Sequence, residues 1–243
     1  MQATQPPSLF EQQLDLAVRS SIFRFLPPAP LDRLLTDAIR VELPSGRFLP
    51  DAGLGLVVAG LVRVFAAGPD GRQVTVGYLR AGDVMGLART AGRQYPVAFQ
   101  TVVECRLLRV DPQGFEDFRG RYSDLAWAAA SQLARNLDDV VNAVLLSALG
   151  SVRQRVIYHV LALSTPTSGD GCRTCRVTRQ QLADSVGSVR EVVTRVLSQL
   201  RRERLITGHD RLFIQDPERL RREVDDLLGR RTDGWAELGS RSA

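Results

Sequence analysis

The sequence predicts an α+β chain in three parts: an N-terminal β-roll of jelly-roll type led in by short helices, one long helix, and a C-terminal winged helix-turn-helix. Three observations carry that prediction. Between residues 41 and 110, short β-type runs are separated by Gly, Pro and Asp; from about Ser123 to Leu149, apolar residues recur with helical period; and residues 177–206 read as two short helices joined at Gly187. A chain of 243 residues holds one large or two modest cores. An apolar content of 44% and a charged content of 24% are those of a globular protein rather than a disordered one. The first residues, MQATQPPSLFEQQ, have neither the basic start nor the apolar centre of a signal peptide, and no run approaches the roughly 18 apolar residues of a membrane span. The expected location is the cytoplasm, with no membrane partner.

The elements follow in order. Leu14–Phe25 and Leu31–Ile39 are predicted as short helices separated by Pro27, Pro28 and Pro30. The runs LGLVVAG, LVRVFAA, QVTVGYLR and VVECRLLRV are predicted strands, and Asp70-Gly71 between the second and third is a hairpin signal. Asp111-Pro112 returns the chain to helix, first over Phe115–Phe118 and then over Ser123–Leu149. In the long helix Leu133, Leu137, Val140 and Val144 step by 4, 3 and 4, a heptad seam that predicts a homodimer interface. Gly150 ends it, and Arg153–Ser164 is the next helix. A short strand at Arg176–Thr178, with Thr178 as the following N-cap, and a second at Arg211–Ile214 are expected to form a wing. A last helix is expected at Glu218–Leu228. The predicted organisation is a β-roll domain of effector type with N-terminal helices (1–120), a dimerisation helix (121–150), a winged helix-turn-helix (151–228) and a flexible tail (229–243).

The second helix of the 177–206 stretch carries Arg190, Glu191, Thr194 and Arg195, positions that fall on one side of an α-helix. Val189, Val192, Val193, Val196, Leu197 and Leu200 supply the opposite, apolar stripe. Arginine bonds both acceptors on the major-groove edge of guanine, and glutamate accepts from the amino group of cytosine. A helix presenting Arg, Glu and Arg is therefore read as a DNA-reading helix. Around it, residues 176–204 hold seven arginines against Asp184, Glu191 and Glu203, which accounts for most of the chain's net charge of +5. Such a local basic face is the electrostatic footprint of double-stranded DNA binding. Two recognition helices one DNA turn apart require a symmetric dimer, which joins this reading to the heptad seam.

These residues resemble the Crp/Fnr superfamily of bacterial transcription regulators. The phrases that carry the resemblance are TRQQLADSVG, SVREVVTRVLSQL, RRERLI and LFIQDPERL in the C-terminal part, and VVAGLVRVF and DGRQVTVGYLRAGDVMG in the β-roll, whose fold is then like a cyclic-nucleotide-binding domain. The resemblance covers about residues 14–224 and is most specific in the helix-turn-helix. It implies that Arg190, Glu191 and Arg195 read a TGTGA-like palindrome, and that Thr178, Arg179 and Ser188 contact phosphates, which set position rather than sequence. It also implies contacts with RNA polymerase.

Where the family binds cyclic AMP, a Gly-Glu pair holds the ribose and an Arg-Ser/Thr-Ala triplet holds the phosphate. Here Leu87 follows Gly86, and Tyr95-Pro96-Val97 occupies the triplet's register. A cyclic phosphate without the arginine, and with proline in place of a backbone N–H, is poorly neutralised. No cofactor is assigned, and cyclic AMP is not the expected effector. A second branch of the family, responsive to 2-oxoglutarate, suggests another set: Arg93 with Tyr95, Arg135 on the long helix, and the backbone at Gly86 and Leu87, together able to hold a small anion such as a dicarboxylate. Cys172 and Cys175 form a CxxC pair flanked by Arg173 and Arg176, cations that lower a thiol's pKa, so a redox-sensitive regulator is a further alternative. Cys105, inside a strand, is expected to be a core residue. Two histidines, no clustered metal ligands, no phosphate-cradling glycine loop and no nucleophile motif argue against an enzyme and against a metal site.

Overall fold

The computed structural model describes residues 8–49, 53–93, 95–166 and 173–229. It forms two compact units, one of the chain up to Ala67 with Val76–Asp139, the other of Gly68–Thr75 with the chain from Val140 onward.

The first unit opens with α1 (Leu9–Ser20), whose start is fixed by a capping box. The Glu11 N–H donates to the Ser8 hydroxyl at 3.3 Å and the Ser8 N–H donates to the Glu11 carboxylate at 2.8 Å. After a 3-10 turn at Ile22–Phe25 comes α2 (Pro28–Thr36). The helix expected from Leu31 thus begins three residues earlier, because proline at the first helical position gives up an N–H that would have no partner there. Ile39, expected in that helix, instead opens β1 (Ile39–Leu43).

β2 (Phe48–Leu49), β3 (Gly55–Ala59), β4 (Leu61–Ala67), β5 (Gln73–Arg80) and β6 (Val84–Met85) follow, then α3 (Leu87–Thr90), β7 (Ala98–Thr101) and β8 (Cys105–Arg109). The strands make two four-stranded sheets, ordered β1-β8-β3-β6 and β2-β7-β4-β5. That is the predicted jelly-roll type, closed by antiparallel pairs such as β1 on β8 and β4 on β7. At the Asp70-Gly71 turn, the Gly68 N–H donates to the Arg72 carbonyl at 2.8 Å.

β3 shows why its sequence is apolar throughout rather than alternating. Leu56 and Val58 join a core with Ala17, Val18, Phe23, Phe115, Leu125 and Ala129, under the helices. Val57, pointing the other way, joins Val62, Leu79, Met85, Cys105 and Leu107. Cys105 is wholly buried, as expected, and its thiol donates to the Leu61 carbonyl at 3.4 Å.

α4 (Pro112–Arg119) leads into α5 (Ser123–Leu149), whose bounds are those predicted. Leu125, Ala129, Gln132, Ala143 and Leu146 form its buried side. Gln132 is bonded twice to β6: its carbonyl accepts from the Val84 N–H at 3.1 Å and its amide donates to the Val84 carbonyl at 2.7 Å.

The second unit contains α6 (Val152–Leu163), β9 (Thr165–Pro166), β10 (Arg173–Arg176), α7 (Arg179–Val186), α8 (Arg190–Arg202), β11 (Ile206–Thr207), β12 (Arg211–Ile214) and α9 (Pro217–Asp225). The strands form one sheet, β11-β12-β10-β9. The strand expected at Arg176–Thr178 ends at Arg176, since Thr178 is used as a cap and takes an extended, unpaired conformation. The last helix ends at Asp225, short of the expected Leu228. From residue 230 the predicted tail lies outside the described residues. No described helix is long and apolar enough to cross a membrane.

Candidate nucleic-acid interface

α7 is started by a second capping box. The Thr178 hydroxyl accepts from the Gln181 N–H at 3.1 Å, and the Thr178 N–H donates to the Gln181 side chain at 2.9 Å. The helix stops at Gly187, whose φ of 66° and ψ of 41° place it in the left-handed region that glycine enters without strain. The N–H of Gly187 and that of Ser188 both donate to the Ala183 carbonyl, and the Arg155 Nη1 of α6 donates to the Val186 carbonyl at 3.3 Å. α7 buries Leu182, Ala183 and Val186, and α8 buries Val193, Val196, Leu197 and Leu200. These stripes pack α7 and α8 on each other and on α6. Val192 is half-buried, and Val189, expected in the anchoring stripe, is 59% exposed. It precedes the first helical turn as the N-cap residue, so the 3.6-residue period does not yet apply to it.

The other side of α8 is polar. Arg190, Glu191 and Arg195 are exposed and Thr194 is half-buried. Among the described residues, no hydrogen bond or ion pair ties down the side chains of Arg190, Glu191 or Arg195, while the Thr194 hydroxyl donates to the Arg190 carbonyl at 2.8 Å. Thr178 is exposed, and Arg179 and Ser188 are half-buried. The Thr178 hydroxyl accepts one bond as a cap.

The far end of α8 is built by a motif that the sequence did not announce. The Leu205 N–H donates to the Leu200 carbonyl and the Arg204 N–H to that of Arg201, with Arg204 at φ 58°. Arg204 is the one non-glycine at positive φ among the described residues. In the wing turn, Gly208 (φ 81°) is required sterically: a Cβ there would lie 2.0 Å from the Arg211 carbonyl oxygen. Arg153 ties α6, the end of α8 and α9 together. It bonds Glu203 at 2.6 and 3.1 Å and Glu223 of α9 at 2.8 and 2.9 Å. The hydrogen bonds from Arg153 hold the Glu203 carboxyl below the usual carboxylate range.

On α5 the exposed side carries Trp127, Ala130, Ala134, Leu137, Val141, Val144 and Ala148, stepping alternately by three and four. Of the seam expected from sequence, Leu137, Val140 and Val144 are exposed. Leu133 is a correction: it is half-buried and packs against the core of the first unit. The stripe is displaced because the helix has apolar residues on two faces, and spacing alone does not say which face the sheet takes.

Comparison with known proteins decides the affiliation. Residues 154–223 match the Crp-like helix-turn-helix domain and residues 49–122 match the cyclic nucleotide-binding domain. The transcriptional regulator LdrP of Thermus thermophilus is 31% identical over 173 residues, covering 70% of this chain and 86% of LdrP. The chain belongs to the Crp/Fnr family of transcription regulators. The cAMP-activated global transcriptional regulator Vfr of Pseudomonas aeruginosa is 28% identical, covering 72% of this chain and 88% of Vfr. Among solved structures, FixK2 of Bradyrhizobium japonicum shares the fold with a TM-score of 0.65 at 21% identity, over 76% of this chain and 96% of that one.

In this Crp/Fnr chain the candidate effector residues are spread out. Gly86 precedes α3 in a left-handed conformation, and Leu87 is 3% exposed, its side chain part of the core with Leu54, Val84 and Leu108. Arg93 and Tyr95 are exposed, and Arg135 is exposed on α5. The charge of Arg135 acts on Asp83, whose carboxyl is nevertheless raised in pKa because burial outweighs that attraction. A cavity of about 630 Å³ in this unit is lined by Gly53, Leu54, Gly86, Arg89, Thr90, Gly92, Arg109 and Pro112. Of the five residues singled out from sequence only Gly86 lines it; Arg89 and Arg109 carried no motif that marked them.

The cysteine expectation needs a correction. Cys172 lies outside the described residues, but Cys175 sits wholly buried in β10, and burial pushes its thiol up to about 12. Desolvation disfavours the thiolate, and the flanking arginines do not reverse it. No group of three or more His, Cys, Asp or Glu able to hold a metal is found among the described residues.

Proposed function

We propose that this regulator works as a homodimer that reads a TGTGA-like palindrome. Arg190 and Arg195 bond guanines, Glu191 accepts from a cytosine, Thr194 lies against the same bases, and Thr178, Arg179 and Ser188 hold phosphates. The observation that carries the reading is the division of α8: Arg190, Glu191 and Arg195 stand exposed on one side with no hydrogen bond or ion pair among the described residues, while Val193, Val196, Leu197 and Leu200 anchor the other. A helix that served only to complete a core would have no need of an Arg-Glu-Arg face. The exposed seam of α5 supports the dimer. Leaving Leu137 and Val144 about 60% exposed in a single copy is the pattern of a surface awaiting a partner. In the cytoplasm, such a dimer would act on transcription through RNA polymerase.

Cyclic AMP is not the effector in this reading. Position 87, where the family places a ribose-binding carboxylate, holds a leucine committed to the core. Of the alternatives, a small anion is favoured over redox control: Arg89 and Arg109 line the cavity of the first unit, whereas the Cys175 thiol is buried.

Two experiments test these points. A gel shift on a TGTGA-N6-TCACA duplex with salt titration should keep its preference over random DNA as salt rises; equal affinity for both would remove the half-site. A thermal-shift screen with cyclic AMP, cyclic GMP and 2-oxoglutarate should give no stabilisation by cyclic AMP. A shift at micromolar cyclic AMP would overturn the reading of Leu87 and Pro96.

A further inference from the structure

Two arginines beside the reading face differ from the rest in being half-buried. Arg179 opens α7 and Arg201 lies in the last turn of α8. The Arg201 Nε donates to the Gly208 carbonyl of the wing turn at 2.7 Å, but its Nη2 is buried without an acceptor. The Arg179 Nε is likewise buried without an acceptor, and no described residue bonds or ion-pairs with that side chain. The two positive groups act on each other: burial first, and then the charge of Arg179, push the Arg201 pKa below arginine's usual value. No carboxylate is among the groups that act on Arg201, and Glu203, two residues on, is bonded to Arg153. Two guanidinium groups that share a half-desolvated space, with buried N–H groups unmatched, lack an anion.

We propose that Arg179 and Arg201 form one composite site for a DNA backbone phosphate, with Arg201 reaching it from the far end of the reading helix and the wing. This rests on the DNA-binding reading and deepens it. A phosphate supplies both charge and acceptors, and arginine's planar fork suits it. Such a contact is blind to sequence, so Arg201 sets affinity and salt dependence and leaves base preference alone. The same crowding of like charge acts against the free protein and is relieved when DNA arrives.

The test uses the full chain and fluorescence anisotropy on the palindromic and random duplexes over a series of salt concentrations. The variants are Arg201→Gln and Arg201→Lys. Arg201→Gln should weaken binding to both duplexes by the same factor, leaving their ratio unchanged. It should also lower the slope of log K against log salt by roughly 0.9 for each phosphate released. Arg201→Lys keeps the charge and loses the Nε bond to Gly208, and should keep the slope. The melting temperature of the free Arg201→Gln protein should be equal to or above that of the unchanged chain. The phosphate site is refuted by an unchanged slope, by a lysine variant that loses as much as glutamine, or by a fall in melting temperature. Those last two outcomes would make Arg201 an anchor for the wing. If the unchanged chain itself binds neither duplex, the DNA-binding reading fails too, which separates the two failures.

Discussion

Arg153→Met tests what holds the winged-helix unit together. The arginine makes four N–O contacts of 2.6 to 3.1 Å to two carboxylates on separate helices, with side-chain exposures of 21% for Arg153, 29% for Glu203 and 30% for Glu223. Breaking a fully buried pair costs about 3–5 kcal/mol, and an exposed one about 0–1 kcal/mol. At this intermediate exposure the expected loss is about 2 kcal/mol, a factor of roughly 30 in the local opening equilibrium. Methionine preserves the packing of the aliphatic stem, so the change isolates the charge.

Hydrogen exchange with mass spectrometry on the full chain reads this directly, through peptides from α6, α8 and α9. The pH dependence supplies a second check. Glu203 has a depressed folded pKa, so its contribution is complete above the unfolded carboxylate value and fades as pH falls through the lower folded one. The difference between the two proteins should therefore shrink below about pH 4.3. A change in protection of less than about twofold at pH 7, or a difference that persists in acid, would refute the reasoning.

Three further outcomes follow from the geometry. Leu137→Asp with Val141→Asp on the exposed seam of α5 should give a monomer by sedimentation and abolish tight binding to the palindrome; a dimer that survives both charges would place the interface elsewhere. Arg195→Ala should lose about 1–3 kcal/mol of discrimination at one base pair of each half-site, whereas Arg179→Ala should weaken binding to every sequence alike; binding-site selection distinguishes them. Cys175, its thiol pushed up to about 12, should resist alkylation at pH 8 in the native protein and react only on unfolding, as mapped by mass spectrometry.

Period and punctuation made most of the architecture legible. The bounds of α5, the Asp70-Gly71 turn, the Thr178 cap and the Gly187 stop are local features, written in consecutive residues. Features set by long-range packing are not written in consecutive residues. Which of the two apolar faces of α5 is covered depends on the sheet it meets, so spacing alone does not reveal that Leu133 packs against the core of the first unit. Whether arginines lower the pKa of Cys175 depends on its depth in β10, which flanking charge does not reveal. The candidate DNA-reading residues were legible because an amphipathic helix sorts them by spacing. Arg201 was not, although it was counted in the basic cluster: its importance lies in a meeting with Arg179 and Gly208 that only folding brings about.

Arg204 ends the reading helix in a backbone conformation that glycine would adopt with about 1 kcal/mol less strain. The stablest form of this unit is therefore not the one encoded. A basic side chain stands where conformation alone would favour a residue with none. The same backbone angle thus sets two properties against each other: resistance to heat, and the long-range attraction that lets a protein find and slide along DNA. A thermostabilised version made by relaxing this turn would hold its shape longer and search a genome more slowly.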